Sequence, residues 1–116
     1  MSSQNLAGKR VLITHADAFM GPVLCQVFAE HGATVIADNA PLLDPEAPAA
    51  LIESAGVVDV LVANLALAAP STPAIDVADA EWTQVFATLV DPLPRLVRAV
   101  LPQMIARRSG KILVMG

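Results

Sequence analysis

The sequence has one cysteine, no tyrosine and few other aromatic residues. Its 116 residues include one Cys, one Trp, three Phe and no Tyr. The lone Cys25 excludes an intramolecular disulfide and any cysteine-based metal site. Its position within a helical pattern predicts a buried structural thiol. The absence of tyrosine means that these residues offer no phenol as a catalytic base.

Basic residues and long apolar runs are also scarce. The formal net charge is −4 and the pI is near 4.8, which argues against nucleic acid or an anionic membrane as a partner. Although mean hydropathy is +0.61, no apolar run reaches the roughly 18 residues of a membrane span. The start, MSSQNLAGKR, lacks the apolar stretch of a signal peptide, so we expect a cytoplasmic protein.

Ala, Val and Leu supply the hydrophobic excess, in short segments that alternate between strand and helix patterns. Strands are predicted over residues 11–14, 34–37, 58–63 and 112–115. Helices are predicted over residues 21–31 and 46–55, and over a long segment from about 79 to 107. Such alternation predicts an α/β fold, a Rossmann-like, doubly wound parallel sheet of about four strands with helices on both faces.

The long helical segment carries prolines and aromatic residues that affect its expected structure. Because proline removes a helical hydrogen bond, kinks or a break are expected near Pro92, Pro94 and Pro102. Asp79 is predicted to cap the start of the segment. Trp82 and Phe86 are predicted to pack in the core or against another helix.

The turn after the first predicted strand, residues 14–21 (THADAFMG), has one glycine where nucleotide-binding turns usually have three. In the usual turn, glycines let a pyrophosphate approach the N-terminus of the next helix. Here His15 and Phe19 add bulk where the pyrophosphate would lie, and a phenyl ring cannot bond phosphate oxygens. The turn therefore suits a smaller guest, such as a halide, or none. His15 itself could contact an anion or substrate, but exposure of the side chain to solvent is the preferred expectation.

Two polar residues that end strands, and the segment after the second of them, have open interpretations. Asp38 lies where an NAD-dependent enzyme binds the adenosine ribose, and the alternative is a loop cap. Asn64 could contact a ligand, or its side chain could tie neighbouring strand ends together. Leu65, Leu67 and Pro70 lie beyond a strand's carboxyl end, where open α/β sheets bind ligands. They are predicted to form a substrate wall or to pack.

The segments LAGKRVLIT, ATVIAD, DVLVAN and LVRAVLPQMIARRSGKILV resemble the short-chain dehydrogenase/reductase superfamily. Within it, the turn resembles the halohydrin dehalogenases, whose motif is Thr, four variable residues, Phe or Tyr, one variable residue and Gly. Thr14, Phe19 and Gly21 match this motif. Together with QVFAEHGATVIAD and VDVLVAN, the turn is most similar to the B-type branch.

The resemblance implies a lyase that uses no nicotinamide cofactor. Members convert a vicinal halohydrin to an epoxide with release of halide, and open epoxides with small anions. Phe19, Leu65, Leu67 and Pro70 would line the halide and substrate pocket. The family's catalytic Ser and Tyr are expected after Gly116, so we expect residues 1–116 to be the N-terminal part of a single domain. A homo-oligomer, a tetramer formed partly through the long helix, is also implied.

Two other functions stay open. An NAD-dependent reductase of the same superfamily would use Gly21, Asp38 and Asn64 for its cofactor, and a non-catalytic member would serve in binding or assembly. Two departures from the reductase pattern favour the lyase. The segment between Asp38 and the third predicted strand is short, and Thr88 stands where reductases carry an Asn in the long helix.

Overall fold

A computed structural model describes residues 5–67 and 71–115 of the chain. Its strands are β1 (Arg10–Ile13), β2 (Thr34–Ala37), β3 (Val60–Asn64) and β4 (Lys111–Met115). Neighbouring strands are parallel, and their order across the sheet is β2-β1-β3-β4. The predicted Rossmann-like α/β sheet is therefore confirmed, with β1 and β3 at its centre.

The helices of the described residues are α1 (Gly21–Glu30), α2 (Ala47–Ala55), α3 (Asp79–Leu89) and α4 (Pro92–Arg107). A short 3-10 turn, Ala74–Asp76, lies in the segment before α3. The expected break in the long helical segment is confirmed, and it falls at Val90 and Asp91, between α3 and α4. Pro92 has no N–H to donate to a carbonyl of the preceding turn, so the helical hydrogen bonds are interrupted there. Pro102 lies inside α4 without ending it.

Helices cover both faces of the sheet, as predicted. Alternate residues of a strand point to opposite faces, so Leu12 of β1 is buried on one side and Val11 and Ile13 on the other. The first side packs against α2 and α4 through buried residues that include Ile52, Leu96 and Val100. The second side packs against α1 through Leu24, Cys25 and Phe28. The two apolar clusters hold the sheet between its helices.

The predicted cap of α3 is wrong, and the predicted core packing of its aromatic residues is not found. Asp79 is the first helical residue and Ala78 occupies the cap position, where its backbone is still extended. The Asp79 carboxylate instead lies in the first turn, near the positive end of the helix dipole. Trp82 and Phe86 are 55% and 46% exposed and form a tilted ring pair with centroids 5.7 Å apart. They miss the core because, in the described structure, α3 has no buried residue.

No helix within residues 5–67 and 71–115 combines the length and the apolar character of a bilayer span. In the same ranges, no three His, Cys, Asp or Glu side chains gather into a group that could hold a metal ion.

Candidate functional site

The central strands β1 and β3 end at one edge of the sheet and define a crevice there. From β1 the chain continues to β2 on one side, whereas β3 and β4 lie on the other side. Ligands of open α/β sheets bind in the crevice that forms at such a change of direction, beyond the carboxyl ends of the strands. The turn of residues 14–21 leaves β1 here, and residues 65–67 leave β3. These two segments form the centre of the candidate site.

The turn retains a backbone shape that glycine would adopt more easily. His15 and Phe19 have φ angles of 44° and 51°, in the left-handed region that costs other L-residues roughly 1–2 kcal/mol. Gly21 is buried, and a Cβ atom at this position would overlap the Ala16 carbonyl and lie 2.7 Å from the His15 oxygen. Side chains therefore occupy two left-handed positions of the turn, while the third glycine position tolerates no side chain.

Thr14 and Asn64, both fully buried, tie the turn to the end of β3. The Thr14 hydroxyl donates to the Asn64 carbonyl at 2.9 Å and accepts from the Asn64 N–H at 3.0 Å. The Asn64 side-chain Nδ2 donates to the carbonyl oxygens of His15 and Ala18, at 3.0 and 2.9 Å. The side chain of Asn64 thus ties neighbouring strand ends together, as one of its two interpretations predicts. Because Nδ2 donates to these two carbonyl oxygens, it does not point into an open pocket.

His15 links the turn to the segment that follows β3. Its ring is half-buried, and Nδ1 accepts the N–H of Ala66 at 2.9 Å. The prediction of a solvent-exposed turn histidine is therefore wrong. The contact joins residues 51 positions apart, so no local pattern in the sequence could have indicated it.

Phe19, Leu65 and Leu67 line one apolar cavity of about 320 Å³. The structure thus brings together these residues of the predicted pocket, while Pro70 falls outside the described residues. Phe19 is 61% exposed, so its ring is accessible to a ligand. The sequence-based prediction missed further lining residues, which come from α3, β4 and the segment after β3: Ala66, Leu89, Val114 and Met115.

Asp38 follows β2 and does not line the cavity beside Phe19. Its Oδ2 accepts the N–H of Ala40 at 3.2 Å, and its main-chain oxygen accepts the N–H of Ala16 at 2.9 Å. The carboxylate therefore caps its own loop, as the structural interpretation of this residue predicts.

Cys25 lies on α1 and packs against the cluster that contains Val11 and Ile13. It is half-buried rather than fully buried. Burial raises the pKa of the Cys25 thiol, a change that its backbone hydrogen bond opposes. Because the thiolate is the reactive form, a raised pKa lowers the fraction of Cys25 that can react at a given pH.

Comparison with known proteins identifies the family. A family model described as short chain dehydrogenase matches residues 43–116, more than half of the chain. The chain belongs to the short-chain dehydrogenase family. The four-stranded parallel sheet between two layers of helices agrees with this membership.

The proteins that resemble this chain have names that describe different activities. The chain is 32% identical to the uncharacterized oxidoreductase YvrD of Bacillus subtilis, over 93% of the chain and 51% of the relative. It is 28% identical to the 3-oxoacyl-[acyl-carrier-protein] reductase FabG of Vibrio harveyi, over 97% of the chain and 56% of the relative. A solved dehalogenation enzyme is 26% identical, with a TM-score of 0.84, over 96% of this chain and 55% of that one. The chain thus spans about half the length of the curated relatives it matches.

The turn differs at several positions from the glycine-rich turn that holds a dinucleotide diphosphate. A diphosphate at this edge would bind to free N–H groups at the start of α1. The Gly21 N–H already donates to the Ala18 carbonyl at 2.8 Å, and Pro22 in the first turn of α1 has no N–H to donate. The side chains of His15 and Phe19 also occupy positions where a glycine would leave the backbone open. Gly21 and Pro22 therefore offer no free N–H to a diphosphate at the start of α1.

Proposed function

We propose that the full-length protein is a halohydrin dehalogenase-like lyase, which converts vicinal halohydrins to epoxides, releases halide and needs no nicotinamide cofactor. The observation that carries the proposal is the side chain of Phe19 at a left-handed position of the turn, beside an apolar cavity. The likeness to a solved dehalogenation enzyme, at 26% identity, supports the same function.

The reaction is an intramolecular displacement. A base removes the proton of the substrate hydroxyl, the oxygen attacks the neighbouring carbon, and the carbon–halogen bond breaks as its electron pair leaves with the halide. Such a step depends on holding the oxygen and the leaving halide in line. The resemblance assigns the proton transfer to a Ser and a Tyr, and residues 1–116 contain no Tyr for this role.

The residues of this chain would position the substrate and exclude water. Phe19, Leu65 and Leu67 form apolar walls around a cavity of about 320 Å³, large enough for a small halohydrin. An apolar wall tolerates a weakly hydrated halide better than a strongly hydrated phosphate. Exclusion of water from the cavity also strengthens the electrostatic contacts that a departing anion makes.

The test is the release of bromide and protons from a small bromohydrin by the full-length protein without added nicotinamide. We expect steady release, and a decrease of at least about tenfold in kcat/KM for Phe19→Ala, equivalent to about 1.4 kcal/mol of lost transition-state stabilisation. The matched control is Val27→Ala on α1, since Val27 is also exposed but does not line the cavity. Absence of release from the unmodified protein would contradict the proposal.

A second candidate function is an NAD-dependent reductase. The names of the curated relatives favour it, because YvrD is described as an oxidoreductase and FabG as a reductase. Gly21, Asp38 and Asn64 would then lie along the cofactor. NADH-dependent reduction of a ketone, with no halide release from a bromohydrin, would establish this candidate over the lyase. A Tyr-x-x-x-Lys sequence after Gly116 would point the same way, and Tyr-x-x-x-Arg would favour the lyase.

We also propose that the full-length protein is a homotetramer that uses the helical segment α3–α4. Trp82 and Phe86 expose large apolar surfaces on α3, and aromatic residues are enriched in the cores of protein interfaces. Light scattering should give the mass of four chains, and Trp82→Lys should lower the mass. Thr83→Lys, at an exposed position of the same helix, is the control. A monomer at all concentrations would contradict this proposal.

A further inference from the structure

A second cavity lies beside the apolar one and has a different character. Its volume is about 200 Å³, and it shares Leu67 with the cavity of Phe19. Three apolar walls come from the loop after β2, and three polar groups come from the turn and from α3. The lining residues are His15, Pro41, Leu42, Leu43, Leu67, Gln84 and Thr88. Leu67, which also lines the proposed substrate pocket, is the residue that the two cavities share.

The hydrogen bond of His15 fixes which of its ring nitrogens carries the proton. Nδ1 accepts the N–H of Ala66 at 2.9 Å, so Nδ1 must have a free lone pair. A neutral imidazole has one donor and one acceptor nitrogen, and the hydrogen bond at one nitrogen decides the role of the other. The proton therefore lies on Nε2. Within the described part of the chain, the contact with Ala66 is the only hydrogen bond of this ring, which leaves Nε2–H free to donate.

The rest of the lining indicates what kind of molecule can accept that proton. Gln84 and Thr88 are four residues apart on α3, so their amide and hydroxyl lie on one side of the helix. Among the described lining residues there is no Lys, Arg, Asp or Glu. An anion or a cation would therefore lose hydration without gaining a counter-charge, which is unfavourable. The lining suits an uncharged molecule with an acceptor oxygen and a compact apolar body.

We propose that this cavity is a binding site for small neutral carbonyl compounds, with the Nε2–H of His15 donating to the carbonyl oxygen. The aliphatic part of the ligand would contact Leu42, Leu43 and Leu67, and Gln84 and Thr88 would provide further polar contacts. The binding does not depend on which reaction the protein catalyses. The His15 ring also accepts the N–H of Ala66, which lines the neighbouring cavity. The hydrogen bond therefore connects the proposed binding site to that cavity.

The test uses full-length protein with ¹⁵N-labelled histidine and two isosteric compounds, isobutyramide and isobutyrate. The ring nitrogen shifts of His15 should show a protonated Nε2 and an unprotonated Nδ1. His31, whose Nδ1 lies 3.2 Å from Asn5 Oδ1, serves as the internal reference. Isobutyramide should move the Nε2–H signal of His15 in a saturable manner and leave that of His31 unchanged, whereas isobutyrate should produce no saturable shift.

A matched pair of variants tests the assigned donor. His15→Asn suits the left-handed backbone, because asparagine tolerates positive φ better than most residues, yet it lacks a donor at the position of Nε2. It should weaken isobutyramide binding, followed at the leucine methyl signals, by about tenfold, as expected for loss of one hydrogen bond. His31→Asn should leave binding unchanged. Protonation of Nδ1 in His15, equal binding of amide and acid, or full binding by His15→Asn would each overturn the proposal.

Discussion

Replacement of Gly21 by alanine should destabilise the protein more than its small size suggests. An alanine Cβ at this position would overlap the carbonyl group of Ala16 and lie 2.7 Å from the His15 oxygen. Both neighbours are backbone atoms of the turn, so neither can move away by changing a rotamer. The turn or the start of α1 must shift to make room, which would also disturb the position of His15 and Phe19.

The magnitude follows from the nature of this overlap. Overpacking a filled site typically costs 1–3 kcal/mol, and rigid backbone neighbours place Gly21→Ala near the upper limit, at about 3 kcal/mol. Alanine is intrinsically favoured over glycine in a helix interior by about 1 kcal/mol, but Gly21 is the first residue of α1 and gains little of this. Gly8 gives the contrast, since its φ is +81° and a Cβ added there would have no atom within 4 Å. Gly8→Ala should cost only the left-handed backbone penalty of about 1 kcal/mol.

Urea denaturation of the parent and both variants measures these losses in the free energy of unfolding. The m-values should agree, so that midpoint shifts report stability alone. A loss for Gly21→Ala that is equal to or smaller than that for Gly8→Ala would refute the close approach of α1 to the turn.

Two further predictions concern Asn64 and Cys25. Asn64→Leu removes both side-chain hydrogen bonds to the carbonyls of His15 and Ala18 and should lower the free energy of unfolding by about 1–3 kcal/mol. Asn64→Asp places a carboxylate against the same two oxygens, so its loss of unfolding free energy should be larger at neutral pH than at pH 4. Urea denaturation at both pH values measures these losses. The raised pKa of Cys25 should make its alkylation by iodoacetamide slower than that of an unfolded peptide thiol at the same pH. As the pH rises past the ordinary thiol pKa of 9.0, the Cys25 thiol loses its proton in the unfolded state before it does so in the folded state. The free energy of unfolding should therefore fall as the pH rises in this range. The Cys25→Ala variant has no thiol and should lack this contribution to the fall.

The sheet could be predicted from the sequence because its signals are local. Strands buried on both faces appear as short apolar runs between turn residues. The run 34–37 coincides with β2, and the other three predicted strands differ from β1, β3 and β4 by one or two residues at one or both ends. The break before Pro92 was also a local effect of proline.

The contacts of the site were less predictable because they join distant segments. The turn motif selected Phe19, and position after a strand selected Leu65 and Leu67, so these residues of the cavity could be found without the structure. The bond from Ala66 to His15 could not, since it depends on how β1 and β3 pair. Trp82 and Phe86 are not in the core, because helical spacing of apolar residues does not reveal whether the described chain supplies a surface to cover them.

The proposed lyase function requires that the side chains of His15 and Phe19 occupy the space that a dinucleotide diphosphate would need. The most direct measurement is calorimetric titration of NADH into the full-length protein and into the double variant His15→Gly/Phe19→Gly, which supplies glycine at both left-handed positions. We expect no saturable binding to the unmodified protein and measurable binding to the variant. Saturable NADH binding by the unmodified protein, as tight as or tighter than that of the variant, would contradict the claim.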